Sequence, residues 1–484
     1  MKQRPNILFI TTDQQRRDTL PCYGADFMKT PALDRLADEG QVYEQAYSVS
    51  PVCQPARASF LMGQYPSLTG VGANAKWLRK DSPTIARLFN NAGYHTAAIG
   101  KMHFYPWFET EGFTDRVVAE DKRHIYLPDD WTKFLHEHGF QRFHPSQIDE
   151  YNQSGCSFTN PLSEDLHVDG FIGNKAVEWI DSVQDEPFFC WVSFNSPHDP
   201  YDPPESFADM YADVDIPSPI GGKEDLNDCP DYMIKNLEMW SKNPLFRSNF
   251  DDIPKEKAME WRRKYYACIS FIDKQIGKIL SSLEAKELLD STIIIFSSDH
   301  GDLLGDHGLP FKSNFYEGSV GVPLIVKGLM VAPGTRVPDR IGWIDLHKTL
   351  LSIAGIEVPE SSQGIDFSQL WTNPEQTVCD TAYSELDEAV MVQRGRYKLV
   401  KSLDGGGILY DTVDDRFERY NLYYDTKYTE IRIQLEEEIH ARQLKQITLA
   451  RYGGGKHPPI PERMELFRKI ENGSYKFDGN IKLQ

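Results

Sequence analysis

Along the first 300 residues, short unbroken apolar runs alternate with segments whose apolar positions recur every three or four residues. The run Asn6-Ile7-Leu8-Phe9-Ile10-Thr11-Thr12-Asp13 reads as a buried strand. Residues 30–37 follow with an N-cap threonine, Pro31 at the first helical position and Gly40 beyond the end, which predicts a helix. Residues 83–89 repeat the helical pattern, Gly93 closes it, and 96–99 reads as a strand. A helix over 171–183 then precedes a strand over 188–194. A long helix over about 261–283, with Ile269, Ile272, Ile276, Ile279 and Leu283 on one stripe, precedes a strand over 292–296. Continuously apolar strands separated by helices indicate an α/β fold, a large and mostly parallel sheet sandwiched by helices.

The pattern fails over 104–166, rich in aromatic, histidine and acidic residues, and again over 201–252, rich in proline, aspartate and asparagine. Long irregular stretches inside a compact domain are usually lids or insertions, and these two are expected to shape substrate selection. Past Ile356 the character changes. Residues 391–400 and 407–410 read as antiparallel strands, followed by a charged helix over 429–444. The expected organisation is a catalytic domain over 1–370 and a small C-terminal α+β domain over 371–484 with a short antiparallel sheet. Gly405-Gly406-Gly407 and Gly453-Gly454-Gly455 match no phosphate-binding pattern and read as turns.

Ligands of open parallel sheets sit outside the carboxyl ends of the strands. Asp13-Gln14 follow the first strand, Lys101 and His103 the second, His198-Asp199 the third and Asp299-His300 the fourth. Four separate stretches thus deliver ionisable groups to one edge of one sheet, the pattern of a site.

Composition narrows the partners. The 484 residues carry a formal net charge of −20, which counts against nucleic acid and anionic membranes, since both attract basic surface. An anionic substrate would therefore need a locally basic pocket. The opening apolar run is too short for a secretory leader, and no segment approaches the roughly 20 apolar residues that cross a bilayer. The seven cysteines are scattered without a CxxC pair, as suits a reducing compartment. Together these predict a cytoplasmic protein. Oligomeric state is not legible.

The run Cys53-Gln54-Pro55-Ala56-Arg57, continued by Ala58-Ser59-Phe60-Leu61-Met62-Gly63, resembles the signature of the type I sulfatases of the alkaline phosphatase superfamily. Arg4-Pro5-Asn6-Ile7-Leu8 into Asp13, Gly100-Lys101-Met102-His103, Ser196-Pro197-His198, and Ser298-Asp299-His300-Gly301 with Lys312 resemble the family's other motifs in the family's order. The likeness is close from about Arg4 to Ala354 and looser beyond. It implies that Cys53 is converted by a separate maturase to formylglycine, whose hydrate attacks sulfur through one hydroxyl and expels sulfate through the other. It also implies one divalent metal held by Asp13, Gln14, Asp299, His300 and the modified Cys53. Calcium is favoured by the hard oxygen donors, with magnesium or manganese as alternatives and even zinc left open by the histidine. By the same resemblance Arg57 holds the modified residue, Lys101 and Lys312 grip sulfate oxygens, and His103 and His198 form the acid and base pair, in an order left open. One departure matters. Many sulfatases have Asp at the position of Gln14 and Asn at that of His300, whereas the Asp-Gln and Asp-His pairs here resemble the choline sulfatase and phosphonate hydrolase branches.

The expected function is hydrolysis of small sulfate esters, with sulfated sugars or uronic acids ahead of aryl sulfates and choline sulfate. A phosphonate monoester or phosphodiester hydrolase on the same scaffold is the nearest alternative, and an inactive carbohydrate-binding relative another. An unmodified Cys53 acting as a phosphatase nucleophile is a further one. Among weaker candidates, Asp302, Asp306 and His307 are expected to orient neighbours, Glu317 to fix the loop of Lys312, and Asp199, Asn74 and Trp77 to touch substrate.

Overall fold

A computed structural model describes residues 4–184, 186–243 and 250–452, together with 468, 469 and 472. Its main sheet contains β1 (Asn6–Asp13), β2 (Gln41–Tyr47), β3 (His95–Gly100), β4 (Asp115–Val118), β5 (Phe188–Pro197), β6 (Thr292–Ser298), β7 (Leu324–Lys327) and β8 (Thr335–Gly342). The spatial order is β4-β3-β5-β1-β6-β7-β2-β8. Every neighbour pair is parallel except those of β7, which runs antiparallel to β6 and β2. The sheet is therefore mixed but mostly parallel, as the apolar runs imply.

The four strands expected from sequence lie side by side, β3-β5-β1-β6, at the centre of this order. Their side chains alternate between two cores, which is why their sequences are apolar throughout. Leu8 and Ile10 of β1 pack with the helices Pro31–Glu39, Val168–Ser182 and Lys255–Ala285. Ile7 and Phe9 pack on the opposite face with Cys53–Met62, Ile85–Asn91 and Trp343–Ile353. Ile269, Ile272, Ile276, Ile279 and Leu283 of the long helix are all buried, as their stripe requires.

Register brings the strand ends level. Asp13 stands across from Pro197, Thr12 from Ser298 and Gly100 from Ser193. Whatever follows β1, β3, β5 and β6 is thus delivered to one sheet edge.

Several expectations need correction. Residues 104–166 are not bare loop: they hold β4 and the helices Asp130–Glu137 and Asp149–Ser154. Residues 201–252 include the helix Asp231–Lys242, though 244–249 lie outside the described residues. The stretch 391–400 is two strands rather than one. Gly395, at φ +54°, turns the chain between β10 (Ala389–Arg394) and β11 (Tyr397–Ser402). With β9 (Thr381–Glu385) and β12 (Gly407–Asp411) they form an antiparallel sheet ordered β12-β11-β10-β9. The charged helix spans Thr429–Tyr452. Gly453-Gly454-Gly455 and the first three residues lie outside the described residues. Met1–Ile439 form one compact unit, and a second, His440–Gln484, contains the end of that last helix.

Candidate active site

Cys53 opens the helix Cys53–Met62, every residue of which except Gln54 is buried. The helix runs under the sheet face, so its N-terminus, with its unpaired N–H groups and partial positive charge, sits at the strand-end edge. Arg57 is one turn further along the same helix. Gly63 ends it at φ +63°, where a Cβ would meet the His347 ring at 2.5 Å.

The Cys53 Sγ is 3.0 Å from Nε2 of His300, 3.1 Å from Nζ of Lys312 and 3.6 Å from Oδ1 of Asp13. Burial, followed by the Asp13 charge, pushes its thiol up to about 12 despite Lys312. Arg57 donates through Nε to Asp299 Oδ2 at 3.0 Å and through one terminal nitrogen to Asp13 Oδ2 at 3.1 Å. Its other terminal nitrogen donates to Ser193 Oγ at 2.8 Å and to the Lys101 carbonyl. One guanidinium thus ties the ends of β1, β3, β5 and β6 together, with 1% of its side chain exposed. Lys101 Nζ adds a second cation 3.0 Å from Asp13 Oδ2. Burial alone would raise the Asp13 carboxyl, but Lys101, Arg57 and Lys312 hold it well below the ordinary range.

Asp13, Cys53, Asp299 and His300 point one ligand atom each into a space where those atoms lie within 4.8 Å of one another. His300 donates through Nδ1 to the Gly301 carbonyl at 2.9 Å, which leaves Nε2 as a lone pair facing the cluster. Burial, then Lys312, lowers this imidazole to about 4, so that lone pair is free at neutral pH. Two carboxylates, a neutral imidazole and a further side chain fit a divalent cation. Gln14 is held differently. Its Oε1 accepts from Lys312, and its Nε2 donates to Asp302 Oδ2 at 2.5 Å.

The two remaining histidines flank the cluster. His198 shares Nδ1 with the Asp199 carbonyl at 2.7 Å, and its imidazole is lowered well below the ordinary value by burial and then by Lys101. His103 sits at φ +58°, its N–H donating to the Glu120 carboxylate at 3.1 Å, and burial followed by Lys101 lowers it likewise. Both rings are neutral at pH 7.

Residues beyond the sequence candidates complete the network. Arg123 bridges Asp121 and Asp199 at 2.8 Å each, and Asp121 is 3.7 Å from Lys101. Tyr201 donates to Asp302 Oδ2 at 2.6 Å, and Tyr265 to the Gln14 carbonyl at 2.7 Å. The Asp121-Lys122-Arg123 triplet, charged inside an aromatic stretch, was the available signal for the first pair. The weaker candidates divide. Asp302 does orient Gln14, Glu317 bonds Lys398 and Arg17 in a cluster of its own, and His307 pairs with Asp225 at 2.9 Å. Asp306 takes Arg16 and Arg262, Asn74 accepts from Gln54 N–H at 3.3 Å, and Trp77 is half-exposed.

Residues 5–356 match the family model described as Sulfatase, and 305–445 match one described as N-sulphoglucosamine sulphohydrolase, C-terminal. A choline-sulfatase of Rhizobium meliloti is 32% identical over 444 residues, covering 87% of this chain and 82% of that protein. The chain belongs to the sulfatase family. It is an enzyme of the sulfuric ester hydrolase class within the alkaline phosphatase superfamily. An N-acetylglucosamine-6-O-sulfatase of Bacteroides thetaiotaomicron is 26% identical, covering 78% of this sulfatase and 73% of that protein. The phosphonate monoester hydrolase of Agrobacterium radiobacter shares the fold at a TM-score of 0.79, with 24% identity, over 92% of this chain and 96% of that one. No helix among the described residues is long and apolar enough to cross a membrane.

Proposed function

We propose that this sulfatase hydrolyses sulfate esters of sugars or uronic acids through a formylglycine made from Cys53, with one divalent metal ion. The observation that carries the reading is the position of Cys53: first residue of a buried helix, within 3.6 Å of His300, Lys312 and Asp13. A sulfate monoester is an anion that repels nucleophiles, and its hydrolysis needs neutralised oxygens, an activated nucleophile and a proton for the departing alkoxide. Arg57, Lys101 and Lys312 supply three cations around this one position in a chain of net charge −20. Oxidation of Cys53 by a maturase replaces a protonated thiol with an aldehyde whose hydrate has one oxygen to attack sulfur and another to release sulfate. Asp13, Asp299 and His300, with the modified Cys53 and Gln14, would hold the metal, calcium first and magnesium or manganese next. When bound, the ion would supply positive charge that polarises a sulfate oxygen and lowers the pKa of the attacking hydroxyl. His103 and His198, neutral at pH 7, are placed to take and return protons on the two sides of the cluster.

The sugar assignment draws on the N-acetylglucosamine-6-O-sulfatase relative, while the choline-sulfatase keeps a small alkyl sulfate as the competing substrate. A cytoplasmic location suits the seven unpaired thiols. Residues 1–370 would form the catalytic domain and 371–484 its companion.

Phosphonate or phosphodiester hydrolysis is the second reading, favoured by Asp299-His300 and the shared fold. Lys101 and His103 at the cluster favour sulfate. The deciding experiment compares kcat/KM for 4-nitrophenyl sulfate, an aryl phosphonate monoester and bis(4-nitrophenyl) phosphate on matured enzyme. Sulfate is expected to lead, and phosphonate turnover greater by orders of magnitude would overturn the assignment.

A further inference from the structure

Two adjoining cavities open on the His103 side of the centre. The inner one is a narrow gap of about 20 Å³ lined by Arg57, Gln54 and His103 together with Trp77, Tyr105 and Glu111. The outer one, about 430 Å³, shares Trp77, Tyr105 and Glu111 and continues to Arg79, Lys80 and Arg87. Its size is within the range of about 300–1,000 Å³ usual for small-molecule sites. The shared residues make a continuous lining from the reaction centre outward.

Three features of that lining have no structural explanation. Trp77 and Tyr105 stack with ring centroids 3.8 Å apart, yet they remain 45% and 41% exposed. Such a pair presents rigid apolar faces at little entropic cost, the property that suits aromatic side chains to binding surfaces. Glu111 is only 5% exposed and its carboxyl takes no hydrogen bond among the described residues; burial, then Glu109, raises it to about 7, with the Arg87 charge acting against them. The Nε of half-buried Arg87, lining the same outer cavity, is buried without a hydrogen-bond partner. Buried polar groups are ordinarily satisfied, and leaving one unmade costs about 1–3 kcal/mol, more for charged groups. An acceptor and a donor left open beside an exposed aromatic pair describe a site that awaits a ligand with both hydroxyl hydrogens and hydroxyl oxygens.

We propose that this cavity binds an uncharged pyranose ring joined to the sulfated unit, stacked against the Trp77 and Tyr105 pair with its hydroxyls shared between Glu111 and Arg87. The enzyme then prefers sulfated disaccharides to the matching monosaccharides. The proposal rests on the sulfated-carbohydrate reading above. Charge selects this ligand over the alternatives. Three basic residues (Arg79, Lys80, Arg87) are balanced by three acidic ones (Asp81, Glu109, Glu111), so neither a second strong anion nor a cation is favoured. A quaternary ammonium, though aromatic faces attract it, would leave the Arg87 donor unmet. A simple aryl group would leave both Glu111 and Arg87 unsatisfied.

The test measures kcat/KM on matured full-length enzyme for a panel of N-, 2-O-, 3-O-, 4-O- and 6-O-sulfated disaccharides and their monosaccharides. 4-Nitrophenyl sulfate and an aryl phosphonate serve as references. At least about a tenfold preference for one disaccharide over its monosaccharide is expected, equivalent to about 1.4 kcal/mol. Trp77→Ala, at an exposed position that leaves folding undisturbed, should bring that ratio toward one, and Glu111→Gln should reduce it. Choline and the desulfated disaccharide are compared as inhibitors, with the disaccharide expected to bind more tightly. Equal turnover of mono- and disaccharide, an unchanged ratio in Trp77→Ala, or tighter inhibition by choline would each overturn the subsite. Cleavage of 4-nitrophenyl sulfate with no saccharide turned over would overturn the subsite and the sugar assignment while leaving the sulfatase reading intact. Preference for the phosphonate would instead remove the reading beneath it.

Discussion

The Sγ of Cys53 and the Nε2 of His300 are 3.0 Å apart across 247 residues of chain, and the same imidazole donates through Nδ1 to the Gly301 carbonyl at 2.9 Å. That second bond fixes the tautomer, so Nε2 presents a lone pair to the carboxylates of Asp13 and Asp299 rather than a proton. A metal bound there stabilises the folded state by mass action, by about 2.7 kcal/mol when free metal is 100 times its dissociation constant. Added Ca²⁺ or Mn²⁺ is therefore expected to raise the Tm of the wild-type protein, whereas His300→Ala should show little rise at the same concentration. An equal rise in both would remove His300 from the metal site.

Arg57 makes a second prediction. Its guanidinium is the shared partner of two carboxylates that are themselves fully buried. Breaking a buried pair by deleting one member leaves uncompensated charge and typically costs about 3–5 kcal/mol. Arg57→Ala should lose about that much in urea denaturation of the metal-free protein. Arg57→Lys, a point charge that cannot fork between Asp13 and Asp299, should fall between. Wild-type stability in Arg57→Ala would show that the pairing is not structural.

His347 offers a test of the fold away from the chemistry. It lies on the helix Trp343–Ile353, its Nδ1 2.8 Å from the Phe60 carbonyl, and burial lowers it from about 6.5 to about 4. The unfolded chain therefore takes up this proton first as pH falls. The stability linked to His347 is present above about pH 6.5, is lost between about 6.5 and 4, and changes no further below. At about 1.4 kcal/mol per unit, the difference is on the order of 3 kcal/mol. Buried acids such as Asp273, raised to about 7, act in the opposite direction, so the whole-protein profile mixes the two. His347→Asn isolates the term: its destabilisation relative to wild type should shrink by roughly that amount between pH 7 and pH 4. A pH-independent difference would contradict it.

The central strands were legible because they are buried on both faces and read as unbroken apolar runs. The last two strands of the order, β2 and β8, were not. Gln41–Tyr47 and Thr335–Gly342 mix charged and apolar positions, and the latter contains Pro338 and Asp339. Their pairing depends on partners far along the chain, which no local pattern reveals. At the candidate site the strand-end motifs identified side chains that the structure does bring together around Cys53. Asp121 and Arg123, and their link to Asp199, escaped notice because the three come from two loops whose approach is set by tertiary packing. Glu111 escaped for a different reason, since an unsatisfied carboxyl can be recognised only once its surroundings are known.

The most direct test of the whole account is mass spectrometry of the peptide carrying Cys53, from enzyme co-expressed with a maturase, set beside the sulfatase activity of the same preparation. The cysteine CH2SH is expected to be replaced by an aldehyde, with activity rising in proportion to the converted fraction. A fully active preparation with an intact Cys53 thiol throughout would contradict it.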